Sequence, residues 1–188
     1  MSGVGDSPVP LILVVCTGNL CRSPLAAALL ERELDERGLP ATVESAGTAA
    51  PLGASPDRKV LRAAGDLDLD LSAHRAGSIT TDEIGRSSLI LCMTGEHVAE
   101  VVALDPDAAK RTATLRAAAL RASSRRGERP SFDEWAQMLA WTPATAGSDR
   151  SNDIYDPIGG PMRGYRQMAD EVARLVSVLA DAWPGDRR

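Results

Sequence analysis

Aromatic side chains are nearly missing from this chain. Of its 188 residues six are aromatic, and all six lie at or after Phe132, so the first 131 contain none. A core in that region has to be packed from Val, Leu, Ile, Ala and Met. Cysteine is scarce as well: Cys16, Cys21 and Cys92 are too few, and odd in number, for a disulfide-stapled scaffold. Of 21 cationic residues only Lys59 and Lys110 are lysine, a skew that, with the abundant Ala, points to genome composition more than to function. No apolar run approaches the ~20 residues that span a bilayer, so no membrane association is expected. The net charge of -5 and pI of about 5.1 argue against a general binder of nucleic acid or anionic lipid, because an acidic surface repels phosphate; a local basic pocket stays open. Residues 1–10 carry neither a basic n-region nor a secretory apolar stretch. With so few cysteines, that predicts a cytoplasmic, reducing location.

The remaining composition, 44% apolar and 25% charged, is that of a globular chain and excludes wholesale disorder. The length predicts one domain over 1–188, with flexible tails at 1–9 and 184–188. Leu11 to Val15 is a continuous apolar run rich in β-branched residues and reads as a strand buried on both faces. Ser23-Pro24 reads as an N-cap and first helical position, opening a helix to Arg37 that Gly38 stops. Further strands are expected at 42–45, 88–92 and, more weakly, 111–115, with helices at 57–64, 96–103 and from Tyr165 to Pro184. Alternating strands and helices predict an α/β parallel sheet with helices on both faces. Residues 116–150 break the alternation and read as a helical insertion, with Ser131 and Glu134 at capping-box spacing.

The most informative segment is Cys16-Thr17-Gly18-Asn19-Leu20-Cys21-Arg22-Ser23-Pro24. It joins a buried strand to a helix. Loop N–H groups turned inward, with the positive end of the helix behind them, make an anion cradle. The same donors favour the thiolate of a Cys at the floor. Arg22, six residues on, can return a planar fork to a bound phosphoryl group. Gly18 and Asn19 tolerate the left-handed backbone that such a curl needs.

This string resembles the active-site loop of the low-molecular-weight protein tyrosine phosphatases. Glu44-Ser-Ala-Gly-Thr48, Leu71-Ser-Ala-His-Arg75, Leu89-Ile-Leu-Cys-Met93 and Asp156-Pro157 with Gly159, Gly160 and Tyr165 resemble the family's other segments in order. The resemblance covers about 10–115 and 153–183. It implies a flavodoxin-like, doubly wound, four-stranded parallel sheet and a phosphate-monoester hydrolase acting through a phosphocysteine on Cys16. Arg22 and the N–H groups of Thr17 to Ser23 would bind the phosphoryl group, and Asp156 would act as general acid and then base. Ser23 would donate to the Cys16 thiolate, and Asn19 would brace the loop through Ser45 and His74. No cofactor or metal is implied, since Arg and N–H donors take its place. The implied substrate is a phosphotyrosine protein or a small phosphomonoester, and phosphate or sulfate should occupy the same loop. Two readings of Cys21 stay open: a partner for a protective disulfide with Cys16, or a small buried residue. Asp153 is the acidic competitor of Asp156, Cys92 reads as a buried strand Cys, and His97 as a helix-surface residue.

The chain departs from tyrosine-directed members where they carry aromatics, holding Ile158-Gly159 and Ala49-Ala50 instead. Asp-Pro-x-Gly-Gly is closer to bacterial members, including protein-arginine phosphatases. That branch has Thr at the place of Leu20, so an apolar Leu20 favours a phosphotyrosine-type substrate. A thioredoxin-linked arsenate reductase shares this fold and loop but needs two more cysteines after the third strand, and only Cys92 lies near there. A non-catalytic anion-binding regulator is disfavoured by the presence of Cys16, Arg22 and Asp156 together. Phe132, Trp135, Trp141 and Tyr155 are the candidates to supply a missing aromatic substrate wall; packing of the insertion onto the domain is the equal alternative.

Overall fold

The apolar run Leu11–Cys16 forms β1, at the centre of a four-stranded parallel sheet ordered β2-β1-β3-β4. The computed structural model describes residues 9–124, 130–140 and 150–184. Ile12, Val14 and Cys16 join one apolar cluster and Leu13 and Val15 another, on opposite faces of the sheet. A strand covered on both sides cannot alternate polar with apolar residues, which is why the run is continuous. β2 (Thr42–Gly47) and β3 (Leu89–Cys92) flank β1, and the short β4 (Thr112–Thr114) closes the far edge. Cys16 lies level with Gly47, and Val15 lies opposite both Ala46 and Cys92. This is the expected flavodoxin-like arrangement.

Five helices share the first face: α1 (Arg22–Glu36), α2 (Arg58–Gly65), α5 (Leu115–Ser123), α6 (Phe132–Leu139) and α7 (Met162–Asp181). The opposite face is covered by α3 (Thr81–Arg86), α4 (Gly95–Leu104) and a 3₁₀ turn at Pro106–Arg111. α1 ends as Gly38 predicts: Gly38 takes φ +65°, and the Leu39 N–H returns to the Leu34 carbonyl at 2.9 Å. Several boundaries differ from expectation, α1 starting at Arg22 rather than Pro24 and β2 running on to Gly47. α7 starts three residues before Tyr165. α3 was not anticipated, because six residues burying only Ile84 show no periodicity. Its signal was the capping box, Thr80 with Glu83.

The stretch expected as an insertion carries α5 and α6, both built into the main core. Leu115, Ala118, Ala119 and Ala122 of α5 are buried beside α7, and Trp135, Ala136 and Leu139 of α6 are buried against α5 and β4. Ser131 and Glu134 form the expected capping box. Phe132, Trp135 and Trp183 make a three-ring cluster with centroids 5.2–5.5 Å apart, in tilted geometry. Trp135 is 1% exposed, so it packs α6 onto the core and presents no surface to a substrate. Trp141 and the outer parts of both tails, 1–8 and 185–188, lie outside the described residues. Trp135→Ala should therefore cost about 3–5 kcal/mol in urea unfolding; a loss under about 1 kcal/mol would contradict the packing role.

Candidate active site

At the carboxyl end of β1 the chain leaves the sheet between helices on opposite faces, α1 behind β1 and α4 behind β3. That is the switch point where open α/β sheets bind ligands. Cys16, 2% exposed, ends the strand with its Sγ turned into the loop that follows. The sulfur lies 3.0 Å from Ser23 Oγ and accepts from the Asn19 N–H at 3.3 Å.

Asn19 holds the curl. Its φ is +51°, one of two positive values at non-glycine residues among those described. Each of its polar atoms has a partner. Nδ2 donates to Ser23 Oγ (3.0 Å) and Ser45 Oγ (2.9 Å), Oδ1 accepts from the Gly77 N–H (2.9 Å), and its carbonyl oxygen lies 2.9 Å from His74 Nε2. Beneath the loop, the Thr48 and Ala49 N–H groups donate to the carbonyls of Cys16 and Thr17, each at 2.9 Å. Gly47 permits that approach: a Cβ there would sit 2.5 Å from the Thr17 carbonyl oxygen and 2.9 Å from the Asn19 nitrogen.

Arg22 is 4% exposed, and its guanidinium makes three contacts: the Ile154 carbonyl at 3.3 Å, Thr17 Oγ1 at 3.5 Å and Asp156 Oδ2 at 2.5 Å. The last joins residues 134 apart in the chain. The stem of the acid loop is clamped. Ile154 N–H donates to the Met93 carbonyl (2.8 Å), Arg116 donates to the Asp153 carbonyl (3.1 Å), and Lys59 Nζ reaches the Gly160 carbonyl (2.6 Å). Asp153, the other acidic candidate, accepts from the Gly95 N–H at the start of α4 (2.8 Å). It serves the helix N-terminus and stands away from Arg22's contacts.

Three expectations change. Ser23 is not an N-cap: α1 begins at Arg22 with Cys21 in the capping position and no side-chain cap, and the Ser23 hydroxyl bonds instead to the sulfur, to Asn19 and to the Ala46 carbonyl. His97 is not on the surface. It is 4% exposed, with Nε2 2.9 Å from Thr17 Oγ1 and Nδ1 2.9 Å from Thr94 Oγ1. Burial and the Arg22 cation push its pKa down to about 4, against opposing pulls from Glu100, Asp153 and Asp156. The signal in the sequence was Thr94-Gly-Glu-His97, a capping threonine that turns the ring back toward the sheet. Of the wall candidates, Phe132 and Trp135 sit in the aromatic cluster, and Tyr155 stands beside Asp156, 61% exposed. Cys21 is free and buried, and burial, followed by the Asp156 and Cys16 charges, pushes its thiol pKa well up. Cys92 is free and fully buried on β3. Among the described residues no group of three or more His, Cys, Asp or Glu is arranged to hold a metal ion, and no helix is long and apolar enough to cross a membrane.

Comparison with known proteins gives a consistent set. A family model described as low molecular weight phosphotyrosine protein phosphatase matches residues 11–130. A protein-arginine-phosphatase of Geobacillus stearothermophilus is 32% identical over 171 residues, covering 90% of this chain and 93% of that one. A probable low molecular weight protein-tyrosine-phosphatase, EpsP, of Ralstonia solanacearum is 34% identical over 153 residues, covering 79% and 95%. Among solved structures, the YwlE arginine phosphatase from Geobacillus stearothermophilus aligns with a TM-score of 0.69 at 31% identity, covering 92% and 91%. A low molecular weight protein tyrosine phosphatase from T. tengcongensis aligns with a TM-score of 0.71 at 25% identity, covering 92% and 98%.

Two outcomes follow from the geometry. Gly47→Ala should destabilise the protein by about 1–3 kcal/mol in urea unfolding, because the new methyl would crowd two backbone atoms, of Thr17 and Asn19, and the short Ala50 Cβ. His97 supplies a pH slope. Its native pKa of about 4 lies below the ordinary 6.5, so the unfolded chain takes up the proton first as pH falls. Stability should drop between pH 6.5 and 4, by up to about 3 kcal/mol, and this component should level off below 4. In denaturant titrations across that range, His97→Gln should lack this component; an unchanged slope would contradict the assignment.

Proposed function

The chain belongs to the low molecular weight phosphotyrosine protein phosphatase family and is a cysteine-dependent phosphatase; from that premise we propose that Cys16, Arg22 and Asp156 carry the reaction and that the substrate is a phosphotyrosine-type monoester. The observation that carries the proposal is the convergence of Arg22 and Asp156 at one guanidinium contact, above a loop whose floor is the Cys16 sulfur.

The phosphoryl group enters the loop and takes equatorial contacts from the inward N–H groups and from Arg22. It competes with Asp156 for the guanidinium, so binding frees the carboxyl group to meet the leaving oxygen. The Cys16 thiolate attacks phosphorus, the P–O bond to the leaving group breaks, and protonated Asp156 gives its proton to that oxygen. Water then attacks the phosphocysteine, Asp156 takes a proton from it, the P–S bond breaks, and inorganic phosphate leaves with the thiolate restored. Ser23, already accepting from Asn19 Nδ2, has its hydroxyl proton available for the sulfur or for the Ala46 carbonyl. Asn19, Ser45 and His74 hold the loop in shape.

Leu20 supports an aryl substrate over phosphoarginine, since a half-buried apolar side chain on the loop suits a ring better than a cationic guanidinium. Tyr155 and the half-exposed Ile158 flank Asp156 and are the remaining apolar groups for the leaving group's ring. Cys21, buried and five residues from Cys16 in the chain, is the thiol that traps an oxidised Cys16 as a disulfide on this reading. Phosphoarginine is the second reading, favoured by the arginine phosphatase that matches 90% of the chain.

The test is a panel of aryl phosphate, phosphotyrosine, phosphoserine and phosphoarginine peptides, and arsenate with thioredoxin. Aryl phosphate and phosphotyrosine should turn over best. Cys16→Ser should abolish turnover, and Asp156→Asn should lower kcat by about 10²–10³-fold. Preference for phosphoarginine would replace the substrate reading. Phosphate binding with no turnover of any monoester would remove the catalytic one.

A further inference from the structure

His97 is a buried, hydrogen-bonded side chain that the reaction above does not use. It comes from α4, on the face of the sheet opposite α1, yet its ring reaches the phosphate-binding loop. Thr17, its partner there, is exposed, and an exposed loop threonine would ordinarily sample several rotamers in water. The Thr17 oxygen also accepts from Arg22 at 3.5 Å. A chain of contacts therefore runs from Thr94 through the His97 ring and Thr17 to the guanidinium. The ring has one donor and one acceptor when neutral, and a hydroxyl at either end can answer either tautomer. Arg22's other contacts are the Ile154 carbonyl and Asp156. When a phosphoryl group displaces Asp156, Ile154 and Thr17 are the protein groups that remain to aim the fork.

We infer that His97 is a positioning residue: by fixing the Thr17 hydroxyl it aligns Arg22 on the phosphoryl group, coupling the β3–α4 junction to the loop after β1. The inference rests on the proposed phosphoryl site and would deepen it.

Two polar substitutions separate the bonds of the ring. His97→Asn can keep the contact to Thr94 but is too short to reach Thr17, whereas His97→Gln can span to Thr17. The assays are turnover of p-nitrophenyl phosphate and inhibition by inorganic phosphate, with thermal midpoints recorded for each variant. His97→Asn should lower kcat/KM about tenfold and weaken phosphate inhibition by a similar factor, and His97→Gln should recover to within about threefold of wild type. Thr17→Val should match His97→Asn, and the double variant should be no worse than either single one. Because Thr17 is exposed, its variant reads the contact even if a His97 variant does not fold.

Wild-type kinetics in His97→Asn or in Thr17→Val would overturn the inference. So would losses that multiply in the double variant, or a Gln variant no better than Asn. Those results leave the phosphatase reading standing. A wild-type protein inert toward every monoester would overturn the site reading and the inference with it.

Discussion

The loop from Cys16 to Arg22 turns the Asn19 N–H onto the Cys16 sulfur because Asn19 sits at positive φ and commits every polar atom to holding that shape. Left-handed backbone costs a non-glycine residue roughly 1–2 kcal/mol, and asparagine tolerates it better than most. Here the cost is offset locally. Ser23, Ser45, Gly77 and His74 each take one Asn19 atom, and these partners come from α1, β2 and the segment between α2 and α3. The bare backbone of Gly47 lets β2 close underneath. An anion cradle built from repelling dipoles would relax without such a frame. The fold supplies it by ending β1 and β2 at the same level, Cys16 against Gly47.

The catalytic assignment adds a second constraint, the joining of distant segments. Arg22 is fixed from three sides: the acid loop through Ile154 and Asp156, its own loop through Thr17, and through Thr17 the His97 ring. The acid loop is itself tied to β3, α4, α5 and the start of α2 through Met93, Gly95, Arg116 and Lys59. On the proposed roles, Asp156 borne on such a stem shifts between Arg22 and a leaving group with little backbone motion. The aromatic cluster of Phe132, Trp135 and Trp183 ties α6 to the segment that follows α7.

Much of this was legible in the residues. Leu11 to Val15 reads as a two-faced central strand because nothing in it is polar, and Gly38 marks the end of α1 because that end needs positive φ. Local rules placed Cys16, Arg22 and the loop between them. They failed where a long-range partner outbids the local one. Ser23-Pro24 has the form of an N-cap, but the serine hydroxyl is taken by Asn19, Cys16 and Ala46. His97 sits at a helix start that periodicity alone puts on the surface, but Thr17, 80 residues away in the chain, draws it inward. The three-ring cluster was equally out of reach, since Trp183, just past the end of α7, meets Phe132 and Trp135 only in the folded chain. His97 in particular changes the picture of the site from one loop and one acid to a network that crosses the sheet.

The central claim is that phosphate passes through the sulfur of Cys16. Rapid acid quench of Asp156→Asn turning over an aryl phosphate, followed by peptide mass analysis, tests it most directly. The account predicts one phosphoryl increment on the peptide bearing Cys16, formed with the burst of aryl alcohol and lost in Cys16→Ser. Turnover by the wild-type protein with no label on that peptide, or with label on another residue, would contradict it.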